Sequence, residues 1–184
     1  MRECVANSIE EARLEALFCD HFSTVRSYAR RRAPESMVDD VVAETFFVAW
    51  RRIDDLPDDV RPWLLGVARK TLSTQLRSAR RRTSLVEKLS AAEPPGAFLQ
   101  VDVPDTGLIG ALQRLSATDQ EVLALAAWEG LRPREAAVVL GVSPAWYRVR
   151  LHRARRRLMR ELEESVSSAG QPLAVPLTRE GVAK

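Results

Sequence analysis

The chain has 184 residues, of which 46% are hydrophobic and 29% are charged, and its formal net charge is +3. This length suits one domain or two small ones, and the composition is that of an ordinary soluble globular protein. No apolar run approaches the roughly 20 residues that span a bilayer, and no signal-peptide pattern opens the chain, so we expect no membrane contact and a cytoplasmic location. Cys4 and Cys19 have no CxxC or Cys/His cluster near them, which argues against a zinc site or a disulfide framework.

The charges are segregated along the chain. Residues 35–59 contain eight acidic residues and two arginines, whereas residues 69–82 contain six basic residues and no acid. The distribution of charge is therefore more informative than the small net charge.

Two helices are expected at the start of the chain. Apolar residues recur at helical spacing from about Ile9 until Pro34 breaks the pattern, which predicts the first helix. The second helix is predicted over residues 37–53 because one broad stripe of its surface is apolar. Asp39 and Asp40 would lie in its first turn, where the helix dipole favours acidic side chains.

A third helix would complete a small helical domain over residues 10–82. An acidic loop, residues 54–62, precedes this helix, which starts near Pro62 and ends in the arginines at 80–82. Its apolar residues follow a helical period, so the helix is amphipathic with a cationic end. Residues 1–9 are expected to form an N-terminal tail.

A flexible linker is expected over residues 83–107. Its proline-containing sequences at 93–96 and 103–105 disfavour regular structure. The second domain would span residues 108–164, and residues 165–184 would form a flexible tail.

The second domain is expected to contain two short helices before its last one. Thr118 and Glu121 have the spacing of a capping box for the first of these, and Gly130 would end it. Residues 133–140 would form the next helix.

The stretch 141–155 indicates a helix-turn-helix. Gly141 can adopt the left-handed conformation that ends one helix, Ser143 can cap the next, and Pro144 suits its first position. We therefore predict a recognition helix that extends to about Glu164.

This helix would have a core stripe and an opposite, exposed face. The core stripe, spaced by four, three and four residues, consists of Tyr147, Leu151, Ala154 and Leu158. The opposite face carries Ala145, Val149, His152 and Arg156, and Arg148 and Arg153 flank it. Small and cationic side chains in this arrangement can enter a major groove, which predicts a DNA-reading surface. The alternative is a solvated basic face on a bundle helix.

Three segments together carry a family resemblance. They are DDVVAETFFVAWRR at 39–52, RPWLLGVAR at 61–69, and residues 115–158, especially RLHRAR at 150–155. In this order they resemble the extracytoplasmic-function (ECF) sigma factors of bacterial RNA polymerase, within the sigma-70 superfamily. The resemblance implies an all-α fold of two small helical domains, a sigma region 2-like domain and a sigma region 4-like helix-turn-helix domain, joined by a flexible linker. It also implies a dissociable subunit that binds core RNA polymerase and directs promoter-specific initiation without catalysis of its own.

The resemblance assigns polymerase binding to the acidic second helix, which docks on the clamp coiled coil of the largest subunit; the polymerase flap is a further contact. The matching positions are Asp40, Glu44, Phe46 and Trp50. The acids can pair with arginines while the rings supply buried anchors, although each ring could equally be a core residue.

The third helix resembles the family's element for recognising and melting the −10 element of the promoter. Its candidate residues are Arg69, Lys70, Thr74, Arg77, Arg80 and Arg81. The arginines would mainly hold phosphate and so contribute salt-dependent affinity; the alternative is a solvated helix end.

The recognition helix would bind the −35 element. Its candidate residues are Arg148, Val149, Arg150, His152, Arg153 and Arg155. Among these, Arg150 and Arg155 would contact phosphate, and Val149 could contact a thymine methyl group.

Two departures from the family pattern keep other functions open. Lys70 stands where asparagine is common, and Ala43 where glutamine is common. One alternative is therefore a sigma-like DNA-binding transcription regulator that does not engage polymerase. Independently of these departures, the acidic cluster of Asp39, Asp40 and Glu44 leaves open a nuclease that uses it to hold magnesium. The partners that we expect are core RNA polymerase, promoter DNA in its duplex and melted forms, and, as a further candidate, an anti-sigma factor; no cofactor or metal is expected.

Overall fold

The computed structural model describes residues 2–84 and 107–169. Within these residues, every regular element is a helix. The helices are α1 (Arg2–Arg30), α2 (Glu35–Trp50), a 3-10 turn (Ile53–Asp55), α3 (Val60–Ser84), α4 (Leu108–Arg114), α5 (Ala117–Ala127), α6 (Pro133–Leu140) and α7 (Pro144–Ala169). The predicted all-α class is confirmed. Most of the predicted linker and tail lies outside the described residues. Within the described part, no helix is both long and apolar enough to cross a membrane.

The first three helices pack around one apolar core. Helix α2 buries one stripe, as its periodicity predicts, and this stripe consists of Val38, Val41, Val42, Thr45, Phe46 and Ala49. Val25 from α1 and Leu64 from α3 are fully buried against it. Two helix starts differ from the prediction. Helix α1 begins at Arg2, so residues 2–9 of the expected tail are helical. Helix α2 begins at Glu35, which places that acid in the first turn.

Helices α4 to α7 form the second unit, and its α5 begins at an unexpected cap. The Ser116 hydroxyl oxygen accepts a hydrogen bond from the backbone N–H of Asp119 at 3.2 Å. The predicted capping box of Thr118 and Glu121 is therefore wrong. Ser116 caps the helix two residues before Thr118, by accepting from the backbone N–H of Asp119. The Glu121 carboxylate is instead buried against residues of the first unit.

The turn between α6 and α7 follows the predicted chemistry. Gly141 ends α6 at a φ of 68°, in the left-handed region. The Ser143 hydroxyl oxygen accepts a hydrogen bond from the backbone N–H of Trp146 at 3.1 Å, which caps α7 ahead of Pro144. The helix-turn-helix geometry at this position is thus built by local capping.

The two units pack directly against each other, which the sequence did not indicate. Helix α3 meets α6 at Gly66, where an added Cβ would lie 3.6 Å from the Cα of Val139. A Cβ would fit there at ordinary contact distance, but a longer side chain would meet the backbone of α6. One buried apolar cluster runs from Val25 in α1 to Leu125 in α5 and Tyr147 in α7.

Replacing Gly141 by alanine tests the turn. We expect Gly141→Ala to lower the free energy of unfolding by about 1 kcal/mol because alanine is strained at positive φ. The matched control is Gly110→Ala inside α4, where an added Cβ meets only the end of the Arg114 side chain at 3.5 Å. That control should be stabilising by up to about 1 kcal/mol. Urea unfolding followed by circular dichroism measures both; equal effects would contradict the turn geometry.

Candidate DNA and polymerase interfaces

Helix α7 presents one face to the core and the other to solvent, as predicted. Tyr147 and Ala154 are fully buried, and Leu151 and Leu158 are partly buried. The Tyr147 hydroxyl donates a hydrogen bond to the backbone carbonyl of Val122 at 2.9 Å. Burial raises the pKa of Tyr147 to about 12, so the hydroxyl keeps the proton that it donates.

The opposite face of α7 is exposed along its length. The exposed side chains are Ala145, Trp146, Arg148, Val149, His152, Arg153, Arg155 and Arg156. Trp146 and Val149, three residues apart, form an apolar patch next to the cationic side chains, and 41% and 53% of their surfaces are exposed. This mixture of donors and apolar groups suits base edges and thymine methyl groups in a major groove.

Arg150 has a different environment from its neighbours on α7. Its Nε lies 2.6 Å from Oδ1 of Asp119, and its Nη2 donates to the Ser116 hydroxyl at 3.2 Å. Arg157 reaches the other carboxylate oxygen of Asp119, whose side chain is only 1% exposed. Asp119 thus joins α5 to α7 through two arginines. Because Arg150 is held in this internal ion pair, its predicted contact with phosphate would require the pair to be broken or shared. No local sequence signal indicates this pairing across 31 positions.

Helix α3 carries the second cationic face. Lys70, Thr74, Arg77 and Arg81 are exposed and follow each other by four, three and four residues, which places them on one stripe. Arg69 is exposed beside this stripe; the side chain of Arg80 lies outside the described residues. The structure therefore brings five of the six predicted −10 residues to neighbouring positions on one helix.

A groove between α1 and α2 contains the predicted polymerase-binding rings. Its volume is about 420 Å³, and it is lined by Glu11, Leu14, Glu15, Phe18, Ala43, Phe46, Phe47 and Trp50. Phe46 forms the floor, since it is only 6% exposed and its ring lies 4.8 Å from that of Phe18. Phe47 and Trp50 stand at the surface, 47% and 49% exposed, with ring centroids 6.2 Å apart.

Phe47 also lines the groove but was not among the residues predicted from the sequence. The spacing of Ala43, Phe47 and Trp50 by four and three residues would have shown that these residues share a face separate from the α2 core stripe. Asp40 and Glu44 are both exposed on the same helix. The exposed surface of α2 thus combines acidic groups with two half-exposed rings.

Comparisons with known proteins agree with this layout. The sequence profile of sigma-70 region 2 matches residues 17–82, and that of sigma-70 region 4 matches residues 107–158. The ECF RNA polymerase sigma factor SigL of Mycobacterium tuberculosis is 30% identical over 171 residues, which cover 86% of this chain and 94% of SigL. The chain belongs to the ECF sigma factors. The RNA polymerase sigma factor NccH of Alcaligenes xylosoxydans is 32% identical to this sigma factor over 146 residues, 72% of this chain and 76% of NccH.

Solved structures share the fold of this sigma factor. A chain in the complex of the sigma factor RpoE with the anti-sigma factor NepR from Bartonella quintana has a TM-score of 0.62 at 23% identity, covering 81% of this chain and 96% of that one. This likeness concerns the fold alone. The complex of CnrH with the cytosolic domain of CnrY gives a TM-score of 0.56 at 27% identity, covering 86% of this chain and 89% of that one.

The predicted family and the predicted pair of region 2 and region 4 domains are confirmed. The individual DNA and polymerase contacts of this sigma factor stay predictions. For the nuclease alternative, no group of three His, Cys, Asp or Glu side chains within residues 2–84 and 107–169 is placed to hold a metal ion.

The contrast between Arg153 and Arg150 gives a test of the α7 face. We expect Arg153→Ala to weaken duplex promoter binding by about 1–3 kcal/mol at unchanged thermal stability, because this exposed side chain would contact a base edge. Arg150→Ala should instead lower the free energy of unfolding by about 1–3 kcal/mol, because Asp119 then loses one charged partner. Fluorescence anisotropy with a labelled duplex and thermal unfolding measure the two effects. Equal melting temperatures for the two variants would contradict the internal role of Arg150.

Proposed function

We propose that this sigma factor binds core RNA polymerase through the groove between α1 and α2 and reads promoter DNA with the exposed faces of α3 and α7. The observation that carries the proposal is the pairing of two surfaces on one chain. The region 2 unit has an apolar groove with half-exposed rings and exposed acids beside it on α2, and the region 4 unit has a cationic helix-turn-helix face. The groove and its neighbouring acids suit a basic protein surface, whereas the cationic face suits DNA.

The groove has the features of a protein-binding site. Phe47 and Trp50 lose solvent-exposed apolar surface when a partner helix covers them, and aromatic residues often dominate the energy of such interfaces. Asp40 and Glu44 beside them can pair with arginines of the partner, which favours a basic, amphipathic helix as the occupant. The clamp coiled coil of the polymerase is the occupant that the family resemblance implies.

The two cationic faces suit two forms of promoter DNA. The N-terminal part of α7 projects Arg148, Val149 and His152, which suits the major groove of the −35 duplex. The stripe on α3 offers Lys70 and Arg77 to the phosphates of the −10 element, where melted strands lie along a cationic path.

Further partners and location follow from the same proposal. We propose that the chain has no catalytic activity of its own and that it acts in the cytoplasm, where RNA polymerase transcribes the chromosome. CnrH, which shares its fold, was solved with the cytosolic domain of CnrY. RpoE of Bartonella quintana, which also shares the fold, was solved with the anti-sigma factor NepR. By these likenesses we propose an anti-sigma factor as a further partner.

Transcription in vitro tests the proposal directly. Purified core polymerase, with and without this chain, is given a pool of genomic promoters. We expect new discrete start sites that depend on the chain. Sequence-specific DNA binding without transcripts would instead favour the alternative regulator that does not engage polymerase, although the named relatives favour the sigma factor. In that case Ala43→Gln and Lys70→Asn would be the first reversions.

Two tryptophans with similar exposure provide a matched pair of variants. We expect Trp50→Ala to weaken polymerase binding by roughly 30-fold, equivalent to about 2 kcal/mol, because it removes a surface ring from the groove. Its affinity for the −35 duplex should not change. Trp146→Ala should do the reverse, since this ring lies on the exposed side of α7. Biolayer interferometry measures the polymerase affinity, and fluorescence anisotropy measures the duplex affinity. If a folded variant loses both affinities equally, the assignment of Trp50 to polymerase and Trp146 to DNA is wrong.

A further inference from the structure

An apolar patch lies on the exposed face of α7, and the fold of this sigma factor does not use it. Val149 is 53% exposed and Trp146 is 41% exposed. Neither side chain belongs to the two buried apolar clusters of the described residues. Single exposed apolar residues are common on proteins, but two large ones on adjacent turns of one helix face form a contiguous patch, which is typical of a binding surface.

The residues around Val149 divide into an apolar half and a hydrogen-bonding half. Side chains three and four positions apart are neighbours on the surface of a helix. On the N-terminal side of Val149 these neighbours are Ala145 and Trp146. On its C-terminal side they are His152 and Arg153, and all four are exposed. A group that binds here therefore meets an apolar surface with hydrogen-bond donors directly beside it.

The first turn of α7, which carries the patch, is anchored from behind. The Ser143 hydroxyl oxygen accepts a hydrogen bond from the backbone N–H of Trp146 at 3.1 Å. The next residue, Tyr147, is fully buried, and its hydroxyl donates to the backbone carbonyl of Val122 at 2.9 Å. Because these contacts hold the backbone in place, the patch meets a ligand in a defined position.

The exposed face of α7 offers few hydrogen-bond acceptors. From Pro144 to Arg160 the helix contains no Asp, Glu, Asn, Gln, Ser or Thr, and its first acid is Glu161. The Tyr147 hydroxyl is buried, so in this stretch the ring of His152 is the only exposed side chain with a nitrogen or oxygen acceptor. Asn or Gln is the usual partner of adenine in the major groove, and Glu or Asp is the usual partner of the cytosine amino group. This helix has none of them.

Two groups in the major groove remain that such a face can recognise. Arginine donates to the O6 and N7 acceptors of guanine. An apolar side chain contacts the C5-methyl group of thymine, which lies beside the O4 acceptor on the same base edge. Both parts of the thymine edge have a counterpart here: Val149 and Trp146 for the methyl group, and Arg153 for O4.

The charge around the patch favours DNA over a protein as its occupant. The exposed arginines of this face are Arg148, Arg153, Arg155 and Arg156. The DNA backbone supplies phosphates that pair with them. An apolar protein surface would instead cover these arginines without pairing them, which is costly.

We propose that Val149 and Trp146 determine the sequence preference of α7 by binding the C5-methyl group of a pyrimidine in the major groove. The inference rests on the proposed function, because it requires that α7 reads duplex DNA. In unmodified DNA this methyl group belongs to thymine. 5-Methylcytosine carries the same group, but its amino group replaces the O4 acceptor and faces the donor side of the patch, so it is the weaker ligand.

Three exposed side chains provide matched variants. Val149→Ala and Trp146→Ala each remove one part of the patch. The control is Val138→Ala on α6, because Val138 is 57% exposed and has the same side chain as Val149 outside the proposed contact. All three side chains are exposed, so the melting temperatures should equal that of wild type, which thermal unfolding checks.

Removal of single methyl groups from DNA tests the contact. The full chain first selects duplexes from a random DNA library. Each thymine of a selected duplex is then replaced in turn by deoxyuridine, which lacks only the methyl group, and fluorescence anisotropy measures the affinity. At the thymine that contacts the patch, wild type should bind the deoxyuridine duplex about threefold to fivefold more weakly, the effect of one buried methyl group. This ratio should fall towards one in Val149→Ala and Trp146→Ala and stay unchanged in Val138→Ala.

A second set of duplexes separates the methyl group from the rest of thymine. At the same position, 5-methylcytosine should bind about threefold to fivefold more tightly than cytosine, since it adds the same methyl group. Both should bind more weakly than thymine because they lack O4. Val149→Ala should remove the difference between cytosine and its methylated form. A gain for thymine over deoxyuridine without a gain for 5-methylcytosine over cytosine would overturn recognition of the methyl group.

Other results would also overturn the proposal. These are selected duplexes in which no deoxyuridine weakens binding, or a thymine preference that survives in both patch variants. In either case the selection itself shows that the chain reads DNA, so the proposed function stands. Unchanged duplex affinity in both patch variants together with weaker polymerase binding would assign the patch to a protein. If the library yields no enriched duplex, the proposed reading of duplex DNA by α7 fails, and the methyl contact fails with it.

Discussion

The charge of Arg32 lies in the interior of the protein, and the relative placement of the two units depends on it. A guanidinium at that depth is tolerated only with partners, and it obtains them from Glu121 and Glu129 of the other unit. Near it, the Tyr28 hydroxyl at the end of α1 donates to Glu121 in α5, and Arg61 at the start of α3 donates to the backbone carbonyl of Glu129 just after α5. Close approach of α3 and α6 at Gly66 then extends one apolar core through both units. An interface anchored this way is specific in geometry but modest in net stability, because dehydration offsets most of the attraction between the charges.

A similar device positions the DNA-binding helix inside the second unit. Asp119 is buried near the start of α5 and pairs with two arginines on α7, Arg150 and Arg157, which are about two helical turns apart. The Tyr147 hydroxyl adds a bond to the α5 backbone at Val122. These contacts lie on the inner side of α7 and leave Arg148, His152 and Arg153 exposed. The face that we assign to DNA is therefore held by buried polar contacts on the opposite side, which would reduce the ordering cost of binding.

Helix α2 separates stability from recognition by residue spacing alone. Phe46 and Phe47 are neighbours in sequence, but a step of one residue turns about 100° around the helix. Phe46 therefore packs against Phe18 in the core, whereas Phe47 stands at the rim of the groove with Trp50. One aromatic pair thus serves both the folding of the first unit and the surface that we assign to polymerase.

Local patterns of sequence determined the helices and the family of this protein. The apolar stripe of α2, the left-handed Gly141, the Ser143 cap and the core stripe of α7 each depend on residues within a few positions, so periodicity and capping rules could predict them. Only the tertiary structure decided the partners of Glu121 and Arg150 and the role of Gly66. Arg32 and Glu121 are 89 positions apart, and no local rule relates them. Their pairing, and with it the contact between the two units, arises from packing, because a buried charge is tolerated only beside an opposite charge that folding brings close to it.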